Sequence, residues 1–233
     1  MPSTGGRPAA DQFVSAVRTA LREAADPTRA PGMQAYMKSA MPFLGVRVPE
    51  VRAIVRALAK EHPFADLDRL EAVALELWDN ATHREERYAA ATLMALRIAK
   101  GRLSLIPMHE HMAVTGAWWD HVDEIAHRIA DLHDVHPVET AHDVRRWSTS
   151  DDMWLRRLSI ISQLGRRDRV DSELLTEVIE PNMDDTEFFI RKAIGWALRE
   201  YAKVEPDWVR TFVADRDDRL SGLSKREALK HVG

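Results

Sequence analysis

RVPEVRAIVRALAKEH, residues 47–62, is the stretch that decides the fold class. Val48, Val51, Val55 and Leu58 step by three and four, the spacing that gathers side chains on one face of an α-helix. Pro49 suits a first helical turn, where its missing N–H would have no partner in any case. The same period runs through nearly everything after about residue 10, and strand-like alternation between Gly-rich hairpin turns does not occur. The expected fold is therefore all-α. Turns are expected at His62-Pro63, Gly101 to Pro107, His136-Pro137, Gly165 to Asp168, Pro181-Asn182, Glu205-Pro206 and Ser221-Gly222. Residues 1–10 are expected to be a disordered leader and residues 11–233 a single domain.

The helices repeat. Arg87 in EERYAAATLMA, Arg157 in WLRRLSIISQL, Lys192 in FIRKAIGWALRE and Arg226 in LSKREALKHV align, and stepping back from Arg87 reaches Arg52. The steps are 34 or 35 residues, or twice 35 between Arg87 and Arg157. Each aligned residue is a cation early in a helix that is apolar behind it. Stacked helix pairs would bring Arg52, Arg87, Arg157, Lys192 and Arg226 to one edge of a solenoid, where they could follow a phosphate backbone. Basic residues are also common on solvated faces, so spacing alone does not separate the two readings.

The skipped step lands in GAWWDHVDEIAHRIADLH, where Val122 holds the basic position. Val122, Ile125, Ile129 and Leu132 form the stripe expected to be buried, with Trp118 four residues before it. Trp119 and Asp123 are four apart on the neighbouring flank, which Ala126 and Ala130 continue with small side chains. An indole beside a carboxylate on an open flank is the expectation. A second indole, Trp196, lies beside the apolar face of Ile190, Ile194, Ala197 and Tyr201, among Lys192, Arg199, Glu200 and Lys203. An indole among cations suits a sugar or base next to phosphates, although either Trp could equally pack against the next repeat.

Composition narrows the classes. The 233 residues contain no Cys, which excludes disulfides, thiolate metal sites and a cysteine nucleophile. No apolar run reaches the length of a membrane span and no signal-peptide core opens the chain, so the default compartment is cytoplasmic and no membrane partner is expected. The net charge of −4 argues against a nucleic-acid partner until its distribution is considered. Residues 1–60 hold nine Lys/Arg against four Asp/Glu, residues 61–140 seven against fifteen, and residues 141–233 seventeen against eighteen. Basic residues that share a face override the total.

Taken together, YMKSAMPFLGVRVPEVR (36–52), WWDHVD (118–123), DDMWLRR (151–157), EFFIRKAIGWALREYAK (187–203) and LSKREALKH (223–231) resemble, in this order, the AlkD family of DNA alkylation-repair glycosylases. The resemblance covers roughly residues 33–231. It implies HEAT-like helical repeats whose concave basic face holds duplex DNA, and excision of cationic lesions such as 7-methylguanine and 3-methyladenine; a site that reads the sugar constrains the base weakly and leaves bulkier adducts open. By the same resemblance Asp123 is the catalytic carboxylate, Trp119 and Trp196 are active-site indoles, Arg157 helps to hold the DNA and Tyr36 borders the cleft. No cofactor and no metal are implied, and a monomer is expected. Two other classes fit parts of the sequence. A non-catalytic helical-repeat scaffold needs the repeats but has no use for Asp123 between two Trp residues. A metal-dependent hydrolase would draw on His127, Asp131, His133, Asp134 and His136, which lack a ligand motif such as HExxH.

Overall fold

The computed structural model describes residues 6–232. Among them the chain forms thirteen α-helices and no strand, and it divides into two compact units between Lys100 and Gly101. Helix α1 begins at Gly6, so it takes in the second half of the expected leader, and residues 1–5 lie outside the described residues.

The first unit holds α1 (Gly6–Glu23), α2 (Ala30–Met37), α3 (Val48–Glu61), α4 (Leu67–Asp79) and α5 (Arg84–Leu93). Helix α3 starts as read: Glu50 accepts from the Arg47 N–H at 2.8 Å, Pro49 occupies the first turn, and Val51 and Val55 are fully buried. The link from α2 to α3 is tied down by the buried Glu85 of α5, whose carboxylate accepts from the backbone N–H of Leu44, Gly45 and Val46 at 2.8–3.1 Å. Gly45 has φ +88°, and a Cβ there would sit 2.1 Å from the Asp26 carbonyl oxygen, so only glycine fits the turn.

The second unit holds α6 (Ile106–Gly116), α7 (Trp119–Val135), α8 (Pro137–Ser148), α9 (Met153–Ile161), α10 (Ser172–Ile179), α11 (Phe188–Tyr201), α12 (Pro206–Asp215) and α13 (Gly222–Ala228). Helices α7, α9, α11 and α13 pack successively side by side and begin at Trp119, Met153, Phe188 and Gly222, intervals of 34 or 35 residues. Helices α6, α8 and α12 each pack against the helix that follows, whereas α10 packs against α8 and α9. This is a helical-repeat fold, and its period is the one visible in the sequence. Val122, Ile125, Ile129 and Leu132 are buried as the α7 stripe, each contributing roughly 1.5–3 kcal/mol of hydrophobic stabilisation.

All seven expected turns fall at helix ends. Others carry no Gly or Pro signal and are not among the expected turns: the links from α4 to α5 and from α8 to α9. The second of these ends on Asp152, whose carboxylate caps α9 by accepting from the N–H of Trp154 and Leu155 at 2.8 and 3.0 Å. Glycine has a packing role inside α11. A Cβ on Gly195 would lie 2.5 Å from the Glu227 Cβ and 3.0 Å from the Ser224 carbonyl oxygen, so its absence lets α13 approach closely.

Candidate active site

Asp123 lies one turn into α7, and its side chain is only 18% exposed. The flank on which it sits is not open: Ala126 and Ala130 are buried, because their small side chains leave α9 room to pack along α7. That packing brings Arg157, the fifth residue of α9, onto Asp123. Its Nε and Nη2 both donate to Asp123 Oδ1, at 3.0 and 2.8 Å. Its Nη1 donates to the Phe189 carbonyl oxygen on α11 at 2.7 Å. One guanidinium thus joins three successive helices of one layer, and Asp123 Oδ2 takes no part in the clamp.

Electrostatics sharpen the picture. Burial pushes the Asp123 carboxyl up to about 6. Arg157 opposes this through its charge and hydrogen bonds, while Asp120 on the same helix adds a smaller upward push. Near neutral pH the group is mostly ionised yet basic enough to accept a proton.

Arg157, expected to neutralise a phosphate, is 4% exposed and directs its donors to Asp123 and Phe189. Its place in the repeat pattern located it correctly on its helix, but the pattern held no information about the carboxylate 34 residues earlier. Trp119 opens α7 and Trp196 lies two turns into α11, both half-buried. Lys192, also on α11, is bound by Glu227 of α13 at 3.1 Å, and the same carboxylate accepts from Arg199 Nη1 at 2.6 Å. The charge read as part of a stripe is thereby shared with an acid. Arg226 on α13 is exposed.

In the first unit Tyr36 is 74% exposed. Arg52 is half-buried on α3. Arg87, half-buried on α5, lays its guanidinium over the Trp78 ring at 5.0 Å and donates to the Trp78 carbonyl oxygen at 3.4 Å. The acids and histidines at the end of α7 point to separate partners: His133 is buried with Nε2 3.4 Å from Ser162 Oγ, and Asp134 is bound by Arg166 and Arg169.

Several residues of the site were not anticipated. Trp118, Trp154 and Phe189 form a cluster of rings that meets the clamp through Phe189. A signal for two of them exists: Trp154 and Phe189 are 35 residues apart, each three before an aligned cation. Glu227 carried no signal, because only the close approach of α13 at Gly195 brings it to Lys192.

The family profile of the DNA alkylation repair enzymes matches residues 17–232. A solved structure described as a predicted DNA alkylation repair enzyme from Enterococcus faecalis is 30% identical, with a TM-score of 0.80 over 90% of this chain and 97% of that one. The alkylpurine DNA glycosylase AlkC of Pseudomonas fluorescens, solved with DNA containing an abasic site analog, is a more distant neighbour. It is 17% identical, with a TM-score of 0.46 over 96% of this chain and 62% of that one. No curated protein matches the chain. No helix among the described residues is long and apolar enough to cross a membrane. With a family profile spanning nearly the whole chain and a relative of the same fold aligned along almost its full length, the chain belongs to the DNA alkylation repair enzyme family.

Proposed function

We propose that the protein is an AlkD-type glycosylase that excises cationic alkylated purines, such as 7-methylguanine and 3-methyladenine, from duplex DNA by hydrolysing the N-glycosidic bond. The observation that carries this reading is the half-clamped carboxylate: Asp123 is buried, and a buried arginine fixes it through Oδ1 alone.

A purine alkylated on a ring nitrogen is already positive. When the bond from C1′ to the base nitrogen breaks, the electron pair goes to the base, which leaves neutral. No strong general acid is needed. Positive charge develops on the deoxyribose instead, and a carboxylate close to the sugar stabilises it. At about 4 Å and an effective dielectric near 20 the attraction is on the order of 4 kcal/mol. That corresponds to roughly a thousandfold in rate. Water then attacks C1′, and its proton is accepted by Asp123 or passes to solvent, leaving an abasic sugar. A carboxyl raised to about 6 suits this task better than an ordinary one, since base strength and ionisation are both needed near neutral pH. In this reading Trp119 and Trp196 offer π faces to the sugar. Arg157 orients the carboxylate rather than a phosphate. Tyr36, Arg52, Arg87 and Arg226 are the proposed contacts to the duplex, with Lys192 joining them where its pairing to Glu227 allows.

The test is a set of duplexes that differ only in one lesion, incubated at a single pH and scored for abasic sites. Release of 7-methylguanine is expected. Uracil and hypoxanthine should be nearly inert, because they leave as anions unless protonated and a nearby carboxylate repels an anion. Asp123→Asn should lose about a thousandfold in rate with unchanged or tighter duplex binding. Comparable release of uracil, or a near wild-type rate for Asp123→Asn, would overturn the mechanism.

A further inference from the structure

We propose that Phe189, with Trp118 and Trp154, is a positioning residue that holds the Arg157–Asp123 clamp in register. The proposal deepens the glycosylase reading above and rests on it for the link to catalysis.

Three rings meet in a closed triangle. Trp118 and Trp154 are 6.1 Å apart between centroids, Trp118 and Phe189 5.5 Å, and Trp154 and Phe189 5.2 Å, with interplanar angles of 51°, 65° and 42°. These are the tilted and edge-on arrangements that aromatic rings prefer. Each ring comes from the start of a different helix. Trp118 immediately precedes α7, Trp154 is the second residue of α9 and Phe189 the second of α11. The triangle therefore ties together the N-terminal ends of the three helices that supply Asp123, Arg157 and the Phe189 carbonyl.

Phe189 touches Arg157 twice, through its carbonyl oxygen at 2.7 Å and through its ring, 5.9 Å from the guanidinium carbon. Trp154 precedes Arg157 by three residues on α9 and so lies one turn away on the same side. A fourth observation points the same way. The Trp118 indole N–H is buried and has no hydrogen-bond partner. The cost of that unmade hydrogen bond has to be offset by the other contacts of the ring, among them those to Trp154 and Phe189. A guanidinium on a long flexible stem has many rotamers, and two of its donors must reach a single oxygen. Without the rings it has the ring face and a fixed carbonyl taken away, and the carboxylate loses its orientation.

The experiment uses the full chain with Phe189→Leu, Trp154→Leu and the conservative Phe189→Tyr. The first readout is the Asp123 carboxyl titration by carbon-13 NMR without DNA, the signal being assigned by its loss in Asp123→Asn. The charged groups acting on Asp123 are Asp120 on α7 and Arg157 on α9, while α11 faces the clamp with the neutral Phe189 carbonyl. Because Arg157 lowers the Asp123 pKa, loosening it should move the titration upward by about half a pH unit or more in both Leu variants. The second readout is single-turnover release of 7-methylguanine. It should fall about tenfold at saturating enzyme, with duplex binding unchanged, and Phe189→Tyr should restore both values. An unmoved Asp123 titration in a folded Leu variant overturns the proposal, and so does a shifted titration with an unchanged rate. Should one Leu variant fail to fold, the other decides. If the wild-type protein releases no alkylpurine, the glycosylase reading fails, while the titration still judges the ring triangle.

Discussion

Asp123→Asn should make the protein more stable while it slows the proposed chemistry about a thousandfold. Burial raises the carboxyl from 3.8 to about 6 even though Arg157 opposes the shift. The folded state therefore holds the Asp123 proton more tightly than the unfolded chain does. The stabilisation from this group is complete below 3.8 and is lost as pH rises through about 6. Above that range the wild-type protein carries the full penalty of an ionised buried group, whereas an asparagine is neutral at every pH. A shift of this size corresponds to roughly 2–3 kcal/mol at pH 8. For a chain of this length that is a gain of roughly 4–10 °C in melting temperature. At pH 4 the wild-type carboxyl is itself protonated when folded, so the difference should shrink to under about 1 kcal/mol. The assay is thermal unfolding of both proteins by calorimetry and circular dichroism at pH 8 and pH 4. If Asp123→Asn melts at or below the wild-type temperature at pH 8, or gains equally at both pH values, the carboxylate is not held at a desolvation cost and the reasoning fails.

Three further outcomes follow from the same structure. The single-turnover excision rate should fall about tenfold per pH unit below about 6 and level off above it, since Asp123 must be ionised; a rate that stays flat down to pH 5 would contradict this. Burial pushes His109 and His133 down to about 4, so both stay neutral when folded, and the stability they contribute is present above 6.5 and lost as pH falls toward 4. Each is worth up to roughly 3 kcal/mol, opposite in sign to Asp123, and His109→Gln should flatten the acid limb of the stability curve measured by urea unfolding. Glu227→Gln should release Lys192 and Arg199 from their shared acid, tightening duplex binding and steepening its salt dependence; an unchanged salt slope would remove both cations from the DNA-binding surface.

Much of the architecture is written in the order of residues alone. A helix must bury one face, and burial at a period of 3.6 leaves Val122, Ile125, Ile129 and Leu132 as a readable stripe. A repeat must present the same surface to each neighbour, so the starts of α7, α9, α11 and α13 recur every 34 or 35 residues. Glycine and proline mark turns through their own backbone preferences, which is why seven turns were legible and the turn ending on Asp152, capped by a side chain instead, was not. Resemblance of short motifs singled out Asp123 and Arg157 separately. That they bind each other was decided only by tertiary packing. Ala126 and Ala130 look the same in sequence whether a flank faces water or a neighbour, and here they admit α9. Likewise a cation at a repeat position looks equally ready for a phosphate or for a carboxylate. Arg157 met Asp123 and Lys192 met Glu227 because adjacent helices pack at a particular distance and register. The linear pattern records which face of each helix is buried, but the pairing of side chains across two faces depends on how closely and in what register the helices pack, and that is a property of the folded layer.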